Sequence, residues 1–133
     1  MKLEVGLFDE DKNEDGVSLA SIGESLEEGY TTPLGYRVPE RRFMLEASNK
    51  SNEWQKLVKD KILKEGLDFD QESCFNELSD KVVSDIKESI DNGDWDKLSD
   101  WTIAERRERG NESTKPLRDT ETMYKAIKGI VDA

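Results

Sequence analysis

The segment from Gln71 to Asp91 constrains the fold more than any other part of the chain. Apolar residues recur in it every three or four positions, the spacing of one face of an α-helix: Phe75, Leu78, Val82, Ile86 and Ile90. Asn92 and Gly93 follow, and both residue types commonly end helices. We therefore predict one long helix whose apolar face anchors a core.

Three shorter segments show the same helical spacing, each with a polar residue that can cap its start and a glycine near its end. We predict these helices at 18–29, from Asn49 or Asn52 to about Lys64, and from Ser99 or Thr102 to about Arg109. The inner face of the second is expected to carry four apolar residues, namely Trp54, Leu57, Val58 and Ile62.

Strand patterns are confined to the N-terminal part of the chain. Apolar and polar residues alternate over 2–8, which predicts a half-buried strand, and the run 9–16 then turns the chain. Proline and glycine make 30–38 an extended loop with a short strand at 36–38. At 133 residues the chain suits one core. We predict a single α+β domain over 1–133, a small antiparallel sheet packed with three or four helices.

The stretch KPLRDTETMYKAI, residues 115–127, combines a helix breaker, a cap and a short amphipathic pattern. Pro116 ends the preceding element, and Asp119 or Thr120 can cap the next helix. The apolar residues that follow share one helical face, namely Met123, Ala126, Ile127 and Ile130. We predict an extended arm followed by a helix that docks on the core.

The composition excludes several classes of function. With 31 acidic and 20 basic residues the formal charge is -11, so attraction to phosphates cannot drive nucleic-acid binding over most of the surface. The absence of histidine removes the usual general base and the commonest transition-metal ligand. We find no catalytic or cofactor-binding motif, so we expect no enzyme activity and no cofactor.

The single cysteine, Cys74, cannot form an internal disulfide. We expect it to be a small buried hydrophobic residue in a reducing compartment. The first ten residues lack the apolar run of a signal peptide, and no stretch approaches the roughly 20 apolar residues of a membrane span. We therefore expect a soluble protein made in a cytoplasm, with no membrane partner.

The turn after the first strand partly matches a calcium-binding loop. Asp11, Asn13 and Asp15 alternate along it and Gly16 follows, as in the first half of such a loop. The twelfth position should be a bidentate glutamate, but it is Ile22. A solvated turn is the preferred interpretation, and calcium binding remains the weaker alternative.

Basic residues are concentrated at Arg41 and Arg42 and in the run 105–109, which reads ERRER. Interleaved glutamates favour a solvated helix face for the run, whereas arginine is also common at contacts between subunits. Both interpretations stay open. Trp95 and Trp101 are expected to pack on the core, and exposure of either would favour an interface.

Three segments in chain order carry a resemblance: VPERRFM at 38–44, KLSDWTIAERRERG at 97–110 and KPLRDTETMYKAI at 115–127. They resemble the IPxRPF, LSxxTxxxRxxxG and KPLxDTGxMxxSI segments of the virion-morphogenesis, or tail-completion, proteins of tailed bacteriophages. Upstream, EVGLF at 4–8 and LEEG at 26–29 look like the VGI strand and the EYG loop of that family.

Residues of this chain match the family pattern in all three motifs. They are Pro39, Arg41 and Phe43 in the first motif, Leu98, Ser99, Thr102 and Gly110 in the second, and Pro116, Leu117, Asp119, Thr120, Met123 and Ile127 in the third. Arg42 departs from the pattern because the family usually has proline or serine there. Glu121 replaces the family's glycine, which argues against a left-handed backbone at that residue but suits the first turn of a helix. Some relatives continue into a further hairpin, which we do not expect beyond Ala133.

The resemblance implies a structural protein of the phage neck or tail end, in the role of tail completion, tail terminator or head-tail joining. Such a protein assembles in the host cytoplasm and resides in the virion as a ring, expected to be a hexamer, between the head connector or adaptor protein and the tail tube protein. DNA would pass through without specific binding, since an acidic lumen repels it.

The expected assembly interface comprises the basic clusters and the two arms, with Arg41 and Asp119 exposed. Its residues are Pro39, Arg41, Arg42, Phe43, Arg106, Arg107, Pro116, Leu117, Arg118, Asp119 and Thr120. An alternative function from another class is a phage-encoded acidic inhibitor that mimics DNA, motivated by the charge of -11. Ring formation distinguishes the two hypotheses.

Overall fold

The computed structural model describes residues 1–93, 95, 98–111, 116–117 and 121–132. The chain has the predicted α+β fold, in which helices accompany two small antiparallel sheets. In chain order the elements are β1 (Lys2–Gly6), α1 (Leu19–Glu28), β2 (Tyr30–Thr31), β3 (Arg37–Val38), α2 (Phe43–Ser48), α3 (Ser51–Glu65), a 3₁₀ turn (Gly66–Asp68), α4 (Gln71–Asn92), α5 (Asp100–Glu108), α6 (Thr122–Ala126) and β4 (Lys128–Asp132).

Helix α4 is the central element and confirms the helix predicted from periodicity. The Asp70 side chain caps it by accepting hydrogen bonds from the amides of Glu72 and Ser73, at 3.1 and 3.3 Å. Gly93 is its C-cap, as the sequence predicted. Ile86 and Ile90 on its inner face are buried, so the helix supplies one wall of the core.

The core joins residues from both halves of the chain. Phe43 is fully buried and lies in one cluster with residues of α2, α4 and the C-terminal segment, namely Ala47, Ile86, Ile90, Leu117, Met123 and Ile127. Side chains of β1 and α1 pack against this cluster, among them Val5 and Leu26. The C-terminal segment therefore docks on the core, as predicted.

The C-terminal segment docks partly as a strand, which corrects the prediction of one continuous helical face. Helix α6 ends at Ala126, and β4 pairs antiparallel with β1, with Gly129 opposite Val5. A Cβ on Gly129 would overlap Ser79 Oγ and lie 2.8 Å from Ser79 Cβ. The missing side chain lets β4 lie directly on α4, and β1 gains the partner that an isolated strand lacks.

Helix α2 was not predicted, because its start is stabilised by another element. Its first residue follows Arg42, whose side chain makes no capping hydrogen bond. Instead, the carboxylate of Glu27 on α1 accepts hydrogen bonds from the amides of Met44 and Leu45, at 3.0 and 3.1 Å. This contact satisfies two of the free amides at the start of α2 and links α2 to α1.

Some of the helix caps predicted from the sequence are correct and others are wrong. Ser18 caps α1, and Gly29 ends it with a φ of 75° at a point where a Cβ would lie 2.7 Å from the Glu40 amide nitrogen. Ser99, rather than Thr102, caps α5 and accepts a hydrogen bond from the Thr102 amide. Neither Asn49 nor Asn52 caps α3, whose N-cap residue is Lys50.

Among the helices of the described residues, none combines the length and the apolar character that a membrane crossing requires.

Candidate functional site

Four of the eleven expected interface residues are buried inside the chain: Arg41, Phe43, Arg106 and Leu117. The expectation that they face a partner is therefore wrong for the folded chain. The Arg41 amide donates to the Leu26 carbonyl at 3.0 Å, which holds the start of this segment against α1. Because Arg41 is not in an exposed arm, its truncation is expected to affect folding as well as assembly.

Two of the expected interface residues, Arg42 and Arg107, are exposed. Arg42 forms an ion pair with Glu40 at 2.9 Å, and both side chains are largely in solvent. Pro39 and Pro116 are half-buried. The last three residues of the set, Arg118, Asp119 and Thr120, lie outside the described residues, as does the cap predicted at Asp119 or Thr120.

The run 105–109 lies on α5 and at its end, with its arginines divided between interior and solvent. Arg106 is buried, Arg107 is exposed, and Arg109 approaches Glu105 at 3.9 Å. The interpretation as a solvated helix face therefore holds for part of the run only. Both central arginines occupy the last turn, where positive charge suits the helix dipole.

Glu121 has a left-handed backbone, with a φ of 63°, and this corrects the expectation that a glutamate would avoid that conformation. It is the residue before α6, at the position where the resembling family carries glycine. A left-handed non-glycine residue costs roughly 1–2 kcal/mol. The glycine of the family motif therefore predicts the positive φ at this position, whereas the charge of Glu121 did not.

The loop after β1 uses its oxygen side chains within the protein. Asn13 Oδ1 accepts hydrogen bonds from the amides of Asp15 and Val17, both at 2.9 Å. Asp11 forms an ion pair with Lys128 at 2.9 Å, which raises the pKa of the Lys128 ammonium. No group of three or more metal-binding side chains is present in the part of the chain that the structure describes. The geometry is that of the turn preferred from sequence.

Two further expectations concern Cys74 and Trp95. Cys74 is fully buried, as predicted, and burial raises the pKa of its thiol. Trp95 is half-buried, and its indole nitrogen donates to the Ser89 carbonyl at 3.0 Å, which confirms packing at the end of α4. Trp101, by contrast, is 73% exposed on α5. As stated from the sequence, exposure of this large aromatic side chain favours an interface.

A buried carboxylate holds α3 against α4. Asp85 is 4% exposed, and its Oδ2 accepts hydrogen bonds from Trp54 Nε1 at 2.7 Å and Lys81 Nζ at 3.0 Å. Lys50 Nζ lies 3.5 Å from its other oxygen. Burial acts to raise the pKa of Asp85, but the Trp54 hydrogen bond and the two lysines outweigh it and lower the pKa.

Helix α3 leaves an open apolar groove on the side of this network. We call it the α3 groove, and seven residues line its volume of about 460 Å³: Trp54, Gln55, Val58, Lys59, Ile62, Leu63 and Leu78. No α3 residue is buried. Ile62, which the sequence placed on an inner face, is exposed, and Leu63 is 72% exposed. These side chains form an apolar surface that no other part of the described chain covers.

A second exposed apolar feature is the hairpin of β2 and β3, residues 30–38. Thr32 and Tyr36 close its turn with an amide-to-carbonyl hydrogen bond of 2.7 Å. Leu34 is 85% exposed and Tyr36 is 71% exposed. No charged residue occurs from position 30 to 36. With Tyr30, which is 41% exposed, the hairpin therefore presents three large apolar side chains to solvent.

The charge is distributed unevenly along the chain. Residues 1–28 hold nine acidic and two basic side chains, a net charge of -7. Residues 37–66, which include α3, hold five acidic and eight basic side chains, a net charge of +3. Six of the seven residues that line the α3 groove belong to this positive segment, within a chain of net charge -11.

No protein-family model, curated protein or solved structure matches the chain. Its function is therefore inferred from its motifs, its charge and its geometry.

Proposed function

We propose that this protein is a non-enzymatic structural component of a tailed-bacteriophage particle that completes the tail or joins it to the head. It forms a ring of its own copies between the head connector or adaptor protein and the tail tube protein. Its site of action is the neck or tail end of the virion. DNA passes through the ring without being bound specifically.

The observation that carries the proposal is where the matched motif residues lie. Phe43 of the first motif packs in one buried cluster with three residues of the third motif, namely Leu117, Met123 and Ile127. These segments are far apart in sequence. Residues that match a family pattern and also meet in the core are the ones that specify a shared fold, so the cluster supports a common architecture rather than isolated chance matches.

The backbone of Glu121 adds support from a second direction. The resembling motif has glycine here, and glycine is the residue that adopts a positive φ without strain. This chain keeps the positive φ, at 63°, although it has a glutamate. The backbone at position 121 therefore has the conformation that the motif glycine favours, although this chain has a different residue there.

The charge of the chain suits the proposed role. A net charge of -11 keeps DNA from adhering to the protein, which a passage for DNA requires. The basic segment 37–66 supplies positive charge for contacts between copies that otherwise repel each other. If the lumen of the ring proved to be lined with basic residues, this explanation of the charge would be wrong.

Sedimentation velocity and native mass spectrometry of the purified protein test the proposal over a range of concentrations. We expect a closed oligomer of defined stoichiometry, six copies in the resembling family. The competing function, an acidic inhibitor that mimics DNA, is favoured by the net charge of -7 in residues 1–28. A permanent monomer that binds a nuclease or RNA polymerase would support that function instead.

A further inference from the structure

We propose that the α3 groove of one copy receives the hairpin 30–38 of a second copy. The inference rests on the proposed function and deepens it by naming the contact between neighbouring subunits. It identifies a donor and an acceptor on different parts of the same chain. None of the eleven residues predicted from sequence as the interface lines the groove.

The acceptor is an apolar surface left uncovered by the residues that the structure describes. Val58 and Ile62 of α3 and Leu78 of α4 line the groove, and Leu63 extends it outward. Trp54 is fixed at its base because its indole nitrogen donates to buried Asp85. A groove whose base is held by such a bond is already formed before a partner arrives, which reduces the cost of binding.

The donor offers the side chains that such a groove accepts. Leu34 and Tyr36 are the large apolar residues of the hairpin turn, and both are mostly in solvent. Residues 30–36 carry no charge, so burial of this turn removes no ion from water. A leucine and a tyrosine in an apolar groove are typical central contacts of an interface.

Charge decides in favour of a second copy as the occupant. Lys59 of α3 lines the groove and forms no ion pair within the described residues, whereas Lys56 is paired with Asp60 at 3.5 Å. The hairpin follows α1 directly, and Glu24 and Glu28 of α1 are exposed. Docking of the hairpin would bring these carboxylates towards Lys59 of the other copy, which makes the contact complementary although each copy carries -11.

The contact is heterologous because the hairpin and the groove are different surfaces. A bound pair still offers one free hairpin, on one copy, and one free groove, on the other. Repetition of such a contact closes into a ring or extends as a filament, whereas a self-complementary contact stops at a dimer. The geometry thus gives a physical route to the ring of the proposed function.

The experiment uses two variants of exposed residues, chosen so that folding is preserved. Leu34→Ser with Tyr36→Ser removes the donor side chains, and Leu63→Glu places a negative charge in the acceptor. Leu67→Glu is the matched control, since Leu67 is a fully exposed leucine that lies beyond the groove. We expect both test variants to weaken self-association about thirtyfold or more, the effect of losing a central interface residue, and the control to match the wild type.

Mixing the two variants gives a sharper result. The donor variant keeps an intact groove and the groove variant keeps an intact hairpin, so one contact can form between them. Sedimentation of the mixture should show one-to-one dimers and no larger species. In a parallel measurement, Leu34→Cys mixed with Leu63→Cys should form a disulfide between copies under mild oxidation, while buried Cys74 stays reduced.

Several results would overturn the inference. They are wild-type assembly by either test variant, failure of the mixture to pair, or a monomeric wild type together with no disulfide between the two cysteine variants. Normal self-association of Leu63→Glu with loss of binding to another particle protein would assign the groove to that protein. Incorporation of the wild type into phage particles is measured separately, so the proposed function can stand when this contact fails.

Discussion

The substitution Asp85→Ala tests whether a buried carboxylate holds α3, and with it the α3 groove, against α4. A hydrogen bond from a neutral donor such as Trp54 to a charged acceptor contributes about 1.5–3 kcal/mol. Lys81 is 31% exposed, so solvent reduces its ion pair with Asp85 to about 0.5–1 kcal/mol. Alanine also removes the desolvation cost of the carboxylate, which offsets part of the loss. We expect the free energy of unfolding to fall by about 2 kcal/mol.

Two control variants separate the contributions. Asp85→Asn keeps an oxygen that can accept from Trp54 but removes the charge, so we expect a loss of about 1 kcal/mol. Glu88→Gln breaks an ion pair with Lys50 of 2.7 Å, yet Glu88 is half exposed. That change should cost no more than about 0.5 kcal/mol.

Equilibrium unfolding in urea, followed by circular dichroism, measures all three variants on one scale. The loss predicted for Asp85→Ala is a large part of the roughly 5–15 kcal/mol that stabilises a typical domain. The reasoning is refuted if Asp85→Ala is no less stable than Glu88→Gln. It is also refuted if Asp85→Ala and Asp85→Asn each match the wild type.

Two other predictions concern pH and the C-terminal strand. Because the pKa of Asp85 is lowered in the folded chain, its stabilising effect is present above the ordinary carboxyl pKa of about 3.9 and is lost as pH falls through the folded value. Urea midpoints of wild type and Asp85→Asn should therefore stay apart above about pH 4 and converge as pH falls below it, and a constant gap would contradict the assignment. Gly129→Ala should cost about 1–3 kcal/mol in the same assay, since its Cβ would overlap Ser79 Oγ; unchanged stability would mean that β4 does not lie on α4.

Elements with a strong local signal were predictable from the sequence. Helix α4 has a long apolar stripe and a glycine stop, and α1 has its own cap at Ser18 and its own end at Gly29. In each case the residues that determine the element lie within it or beside it. Local energetics and tertiary packing favour the same structure there.

Elements that depend on distant partners were not predictable. Helix α2 starts where Glu27 of another helix supplies the acceptor for its first amides. Strand β4 exists because β1 offers a partner and Gly129 permits contact with α4. Ile130 fits a helical pattern equally well by spacing, so pairing with β1 decided its conformation.

Features of the candidate site were likewise predictable only where local sequence determines them. Charge alone placed Arg41 and Arg106 at the surface, but both are buried. The apolar surplus of α3 was visible in the sequence, since Leu63 lies outside the stripe predicted to face inward. The network around Asp85 determines which face of α3 packs against α4. No local sequence pattern predicts that network.

Cryo-electron microscopy of tailed phage particles that carry this protein tests the central claim most directly. The account predicts density for several copies arranged as a ring at the neck or tail end, between the head connector and the tail tube, with DNA or an open channel at the centre. Particles whose neck and tail contain no density that fits this chain, with the protein recovered only from the soluble fraction, would contradict it.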